Sequence, residues 1–197
     1  LAKIAVANQE ISEFSGIDEN YLKELAKLSV DISSIVSLPN ILAKKGIILV
    51  YEKTLPRMKL DGVVFTLDSG HPVVGIRFRF PRLDNFWFTL MHELAHINLH
   101  KDILDDPIFD DLEINNKEVA EKKANRLAKY SFVEKDIWRN CAGKYDRSDE
   151  TVIEFSKKIG IHPAIVAGML QKELGKFDRF RKIVDEVDVR RELFGDD

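Results

Sequence analysis

The sequence predicts an α+β fold in which a run of three strands lies between helices at both ends. Apolar residues recur at helical spacing in residues 11–45 and again from residue 86 onward, whereas residues 46–80 contain short β-rich runs. Hydrophobic residues make up 45% of the 197 residues, which is enough apolar material for one well-filled core. The runs follow one another as helices, strands and helices, with no internal repeat.

The N-terminal part is predicted to hold two helices. In "SGIDENYLKELAKLS", Ser15 or Asp18 can cap the first helix, and leucines follow at helical spacing. The stretch "LPNILAKKG" continues as a second helix that stops at Gly46. We expect three units along the chain, an N-terminal helical segment, a core and a C-terminal helical subdomain packed on the core: residues 1–34, 35–140 and 141–197.

Three short strands are predicted between residues 46 and 80. "GIILVYEK" is the first, and "DGVVFTLDSGHPVVGIRFRF" reads as two strands joined at the turn-rich "DSGHP". Pro72 and Pro81 bracket the last strand, which favours an edge position or strand ends. Arg77 and Arg79 alternate there with apolar residues, so one face of this strand is predicted to be polar.

Helices fill the rest of the chain. Asp84 or Asn85 can cap a helix that runs from Phe86 to about His100. An acidic, proline-broken connection leads to a second strong helix over about residues 117–130, and a polar linker leads to two or three C-terminal helices. In "FSKKIGIHPAIVAGMLQKELG" the pattern resembles a helix-turn-helix, but its balanced charge favours docking on the core over DNA binding.

Charge and cysteine content limit the classes of function. The net charge of −3 argues against a broad nucleic-acid footprint, so direct DNA binding is not expected. The single cysteine, Cys141, cannot form an intramolecular disulfide, which predicts a cytoplasmic protein with an inert thiol. No apolar run approaches the roughly 20 residues that a membrane span needs, so no membrane association is expected.

The first strong helix contains the pattern H-E-x-x-H at His92–His96. Residues four apart share a helix face, so the imidazoles of His92 and His96 can bind one zinc ion, although such sites also accept other divalent metals. Glu93 is rotated away from that pair and can act as a general base on the attacking water. Because three buried polar groups without partners would be strongly destabilising, the pattern favours a metal site over an ordinary core helix.

A catalytic zinc site needs a third protein ligand and an open position. Asp102 has the spacing of one extended pattern, but Leu99 occupies the position where that pattern has a glycine turn. His100 lies about 12 Å along the helix from His92, which is too far to share an ion and favours a structural role.

The second strong helix offers better candidates for the third ligand. Glu121 can ligate, and Glu118, one turn earlier on nearly the same face, is the rival ligand. Asn125, four residues after Glu121, can accept a hydrogen bond from a ligating histidine and fix its tautomer.

Several motifs resemble those of a known family. "FWFTLMHELAHINLH", the acidic "FDDLE" and "EKKANRLA" are similar to the ImmA/IrrE-type metallopeptidases of bacteria and phages, whose pattern is H-E-x-x-H, a variable loop and E-x-x-A-[ND]-x-F-A. "IGIHPAIVAGMLQ" resembles a segment of members associated with Xre-type helix-turn-helix regulators. The resemblance covers about residues 35–175. Leu127 departs from it, since the family favours Phe there, and "YSFVEKDIW" departs from the usual apolar stretch.

The resemblance implies a small gluzincin-like fold, with the sheet packed on the active-site helix. It assigns metal ligation to His92, His96 and Glu121, the base role to Glu93 and the orienting role to Asn125. The function it implies is a zinc-dependent endopeptidase that acts on a regulatory protein such as an Xre-type repressor or an antitoxin. The alternative is a regulatory interaction module, a toxin–antitoxin or phage-control component, that keeps this fold without hydrolysing peptides.

The group that stabilises the transition-state oxyanion is left open by the sequence. Tyr130, His100, Arg77 and His71 are all candidates. The strand "VVGIRFRF" is a candidate edge on which an extended substrate lies. Its arginines, Arg77 or Arg79, could then bind acidic side chains of the substrate. His162 precedes a proline at a predicted helix start, which favours a capping or packing role over ligation.

Overall fold

The computed structural model describes residues 11–52, 61–99, 114–146 and 148–195. Its helices, in chain order, are α1 Glu19–Lys27, α2 Ser34–Ala43, α3 Leu83–Leu99, α4 Ile114–Phe132, α5 Lys135–Arg139, α6 Asp149–Ile159, α7 Pro163–Leu174, α8 Arg181–Val184 and α9 Val189–Phe194. Its strands are β1 Ile48–Glu52, β2 Gly62–Thr66 and β3 Pro72–Arg77. The mixture of helices with one three-stranded sheet confirms the predicted α+β class.

The sheet has the strand order β1-β3-β2, so β3 lies in the middle. It runs parallel to β1 and antiparallel to β2. The prediction that this strand is an edge, on which a substrate could lie, is therefore wrong. Pro72 is the first residue of β3, where it interrupts little of the ladder, and Pro81 lies beyond the last residue. The two prolines mark the ends of a central strand whose Val73, Val74 and Ile76 are buried.

The long helix α3 begins earlier than predicted, so Asp84 and Asn85 lie in its first turn and are not its caps. The Asp84 carboxylate is buried and accepts hydrogen bonds of 2.8–2.9 Å from Arg82, which also donates to Gln171 Oε1. On α7, Gly168 approaches Asp84 so closely that a Cβ there would overlap the carboxylate. Burial raises the pKa of Asp84, although Arg82 opposes this. The polar start of α3 is thus an anchor for α7.

The C-terminal helices pack on the rest of the chain. Most of α7 is buried, including every residue from Ala164 to Gln171, which confirms the prediction that this segment docks on the core. His162 is its N-cap, since its Nδ1 atom accepts a hydrogen bond of 3.2 Å from the Ala164 N–H. Cys141 lies in the segment that the sequence predicted as a polar linker, but its side chain is buried. The boundaries proposed for the three units stay predictions.

An ionic cluster ties α7 to the neighbouring helices. The carboxylate of Glu173 lies 2.9 Å from Lys129 Nζ, 2.8 Å from Lys144 Nζ and 2.7 Å from Trp138 Nε1. Burial raises the pKa of Glu173, but these hydrogen bonds and charges outweigh that effect and lower it to about 2. Because Glu173 stays ionised, the cluster fixes the end of α7 against α4 and α5 at neutral pH.

Local signals at the N-terminal side agree with the structure. Asp18 caps α1 by accepting a hydrogen bond of 2.7 Å from the Tyr21 N–H, so it is the cap of the two candidates. Gly46 follows α2 with φ +76°, and a Cβ there would meet the backbone of Phe14. Among the described helices, none has the length and apolar character needed to cross a membrane.

Candidate metal centre

Two histidines on α3 lie one helical turn apart and point in the same direction. The Nε2 atoms of His92 and His96 are 3.1 Å apart, and the rings are inclined at 81° to each other. His96 is buried and His92 is partly buried. At this distance the lone pairs of two neutral imidazole nitrogens repel each other unless a proton or a cation lies between them. The geometry of the pair therefore favours a shared cation.

Glu121 of α4 brings a carboxylate to the same point. Its Oε2 atom lies 3.2 Å from His92 Nε2, and its Oε1 atom lies 3.3 Å from His96 Nε2. In a tetrahedral zinc site with bonds of about 2.0–2.1 Å, neighbouring ligand atoms are roughly 3.3 Å apart. The three residues can hold one metal ion, and two imidazoles with a carboxylate form a donor set that suits a catalytic zinc ion.

The packing of α4 on α3 distinguishes Glu121 from its rival. Glu118 has a side chain that is 63% exposed and forms an ion pair of 2.6 Å with Lys122. It therefore lies away from the histidines, although it is only one turn from Glu121. Asn125 Nδ2 donates a hydrogen bond of 2.9 Å to the Glu121 backbone carbonyl, which leaves the Asn125 side-chain oxygen to accept one.

The protonation of His92 reflects its surroundings. Burial lowers its pKa, and the nearby Glu121 carboxylate and the Asn125 side chain oppose this by raising it. The ammonium group of Lys172 on α7 lowers the pKa of His92 as well. The net lowered pKa favours the neutral imidazole, which is the form that binds a metal.

Glu93 packs its carboxyl group against the first residue of β2. Its side chain is almost fully buried, and burial, with a further contribution from Glu121, raises its pKa to about 7. A Cβ on Gly62, the first residue of β2, would overlap the Glu93 carboxyl group and the Thr89 side chain. The absence of a side chain at Gly62 thus makes room for Glu93 between α3 and the sheet.

Two cavities lie where α7 faces α3, and although His92, His96 and Glu121 line neither, Thr89 and Asn125 line one each and are one helical turn from Glu93 and Glu121. The strand-side cavity has a volume of about 370 Å³, and Asp61, Arg77 and Thr89 line it. The helix-side cavity has a volume of about 350 Å³, and Asn125 and Tyr130 line it. Phe88 and Lys172 line both cavities. The two cavities together are called the groove here, and of the predicted stabilisers Arg77 and Tyr130 line it.

The predicted stabiliser His71 does not join them. His71 lies in the turn between β2 and β3, where its Nδ1 atom is 3.0 Å from Ser69 Oγ. This turn is at the far end of the hairpin, roughly 14 Å along the strand from Gly62, so the structure does not bring His71 to the cluster. His100 and Asp102 lie outside the described residues.

Three residues beside the centre carry no assignment from the sequence: Gly62, Phe88 and Lys172. A glycine at the start of a strand is a known signal of close backbone approach, so Gly62 could have been found. Phe88 looks like any other apolar residue of α3. Lys172 lies about 80 residues after His92 in the sequence, and no local pattern connects the two.

The comparisons with known proteins agree with this geometry. The Peptidase_M78 family model, described as the IrrE N-terminal-like domain, matches residues 43–170. The matched range includes the sheet, both helices of the cluster and most of α7. A comparison with curated proteins gave no match. Since the family match spans well over half of the sequence, the chain belongs to the Peptidase_M78 family of metallopeptidases with an IrrE N-terminal-like domain, as its motifs predicted.

Proposed function

We propose that the chain is a zinc-dependent endopeptidase that hydrolyses peptide bonds with an activated water molecule. The observation that supports this best is the convergence of His92, His96 and Glu121 beside the buried carboxyl group of Glu93. Three ligands leave one position of a tetrahedral ion open, which is the arrangement of catalytic rather than structural zinc sites.

Each residue has a separate role in the proposed reaction. His92, His96 and Glu121 would hold the ion, and Asn125 would orient a ligating imidazole. Zinc, when bound, supplies a Lewis acid that polarises the scissile carbonyl and acidifies water. Glu93 accepts the proton of the attacking water and passes it to the nitrogen of the leaving amine. Tyr130 and Arg77, which line the groove, are candidates for stabilising the oxyanion, and His100, outside the described residues, stays a prediction.

The substrate strand is proposed to bind at β2. This strand is at one edge of the sheet, and its first residue, Gly62, packs against Glu93. An extended peptide can add to such an edge through main-chain hydrogen bonds, which would direct the scissile bond toward the metal centre. The β2 edge replaces the central strand β3, which the sequence suggested for this role.

The partner that we propose is a cytoplasmic regulatory protein, such as a helix-turn-helix repressor or an antitoxin. The support for this proposal is the resemblance of "IGIHPAIVAGMLQ" to members associated with such regulators. This segment forms most of α7, which is buried against the core. It therefore helps to line the groove and does not expose a surface that could bind another macromolecule.

Metal dependence tests the proposed function directly. Purified protein loaded with one equivalent of zinc is expected to cleave members of a proteome-derived peptide library, with new termini identified by mass spectrometry. Chelation should abolish this cleavage, and added zinc should restore it, because the ion is the Lewis acid of the reaction. Cleavage that persists in the chelated protein at the same rate would contradict a metal-dependent mechanism.

Substitution of Gly62 with Ala is expected to lower the cleavage rate by about 10-fold to 100-fold while zinc binding stays unchanged. The new Cβ would overlap the Glu93 carboxyl group, which must then move from its position beside the sheet. Gly70 is at the far end of the hairpin and has no atoms near its missing Cβ, but its φ of +79° strains any side chain, so Gly70→Ala is the control for a general loss of stability in the hairpin. Equal rates in the wild type and in Gly62→Ala would show that Glu93 does not depend on this contact.

A further inference from the structure

Lys172 has an unusual position in the groove beside the metal centre. It lies on α7 and is exposed, and together with Phe88 it separates the strand-side cavity from the helix-side cavity. We propose that Lys172 determines specificity by binding the carboxylate of an Asp or Glu side chain of the substrate, close to the scissile bond. This inference rests on the proposed peptidase function and names the substrate class that the groove would accept.

The distance from the metal centre suits a substrate contact. Phe88 and Thr89 line the groove and lie one helical turn, about 5.4 Å, before His92 and Glu93 on α3. An extended peptide advances about 3.3 Å per residue, so the groove is within about three residues of the bond that is cleaved. Lys172 also lines the helix-side cavity together with Asn125, which is one helical turn after Glu121 on α4.

The charges around the groove leave positive charge available on α7. Asp84 is paired with Arg82 at 2.8 Å, and Glu173 is held by two lysines of its own cluster. In contrast, within the part of the chain that the structure describes, neither Lys172 nor Arg126 has an ion-pair partner. An acidic side chain that enters either cavity would therefore meet a cation not already neutralised by a neighbour.

The strand-side cavity also contains an opposing carboxylate. Asp61 lies there, and its backbone carbonyl accepts a hydrogen bond of 2.9 Å from the backbone N–H of Arg77. Asp61 and Arg77 belong to the strand side of the cavity, whereas Lys172 belongs to α7. The same cavity is lined by Phe80 and Phe177, which are 49% and 64% exposed. Exposed aromatic rings next to a cation form a surface that suits a peptide side chain.

A cleavage-site profile tests the proposal. A proteome-derived peptide library is digested with zinc-loaded wild type, Lys172→Glu and Lys176→Glu, and the residues around each cleaved bond are compared. The wild type is expected to show Asp or Glu enriched at one position within three residues of the bond. Lys172→Glu should lower this acidic preference by about tenfold, because attraction becomes repulsion. Lys176 is exposed but lines neither cavity, so its variant should keep the wild-type profile.

A pair of matched peptides separates recognition from a general structural effect. One carries Glu and the other Gln at the enriched position. Lys172→Glu should lower the ratio of kcat/KM for the Glu peptide to kcat/KM for the Gln peptide by about tenfold, whereas Lys172→Arg should keep the wild-type ratio. Any effect of the reversed charge on His92 is common to the two peptides and cancels in this ratio. A wild-type profile without acidic enrichment, or an unchanged profile in Lys172→Glu, would overturn this inference and leave the peptidase function intact. Absence of any metal-dependent cleavage by the wild type would instead remove the proposed function, and this inference with it.

Discussion

Replacement of Glu93 with Gln is expected to lower kcat/KM for peptide hydrolysis by about 10³-fold, because a positioned general base contributes roughly 10²–10⁴-fold to such reactions. Gln has nearly the same shape as Glu but cannot accept the proton of the attacking water. Zinc content should stay at one ion per chain, since His92, His96 and Glu121 are unchanged. The measurement is the cleavage rate of a library-derived peptide, together with the zinc content of the same sample.

The stability of this variant provides the control. Glu93 is buried, and burial raises its pKa to about 7, so its charged form is costly in the fold. A neutral Gln should therefore leave the free energy of unfolding unchanged or raise it slightly. A stable, zinc-loaded Glu93→Gln protein that cleaves at the wild-type rate would contradict the base role. If the variant lost hydrolysis but kept full biological activity, the chain would instead be the non-hydrolytic regulatory module that shares this fold.

The sequence allowed prediction of the features that depend on short-range periodicity. His92, Glu93 and His96 could be placed because residues four apart share one face of a helix, whatever else the chain does. The caps at Asp18 and His162 are equally local, since each binds a backbone N–H within three residues. Such features need no knowledge of how distant elements pack.

Features that depend on packing could not be predicted in the same way. Glu118 and Glu121 lie about 60° apart around the helix and look alike by periodicity. The family motif indicated Glu121, and in the structure the packing of α4 on α3 distinguishes the two. The prolines around β3 were compatible with an edge or with strand ends, because the order of strands in a sheet is set by distant pairing. Lys172 lies one helical turn after Gly168, where α7 approaches Asp84 at the start of α3, and this approach of two distant segments is not visible in the sequence.

The assignment of Glu121 as the third ligand leads to the second large effect. Substitution of Glu121 with Gln is expected to weaken zinc binding by at least about 100-fold, because loss of a residue that merely orients a ligand already costs about 10–100-fold. The neutral amide is a poorer zinc ligand and removes one negative charge from the 3.2–3.3 Å contacts with the two histidines. The affinity can be measured by competition with a chromophoric chelator.

Zinc-dependent stability gives an independent measurement of the same assignment. At a zinc concentration 100 times the wild-type Kd, bound metal stabilises the fold by about 2.7 kcal/mol, whereas a 100-fold weaker site would gain only about 0.4 kcal/mol. The matched control is Glu118→Gln, which removes an exposed carboxylate paired with Lys122 one turn earlier on the same helix. That variant should keep the full zinc-dependent shift, because an exposed pair contributes only about 0.2–1 kcal/mol and lies away from the ligands. If Glu118→Gln lost zinc binding and Glu121→Gln kept it, the rival ligand would be correct and α4 would have to rotate when the metal binds.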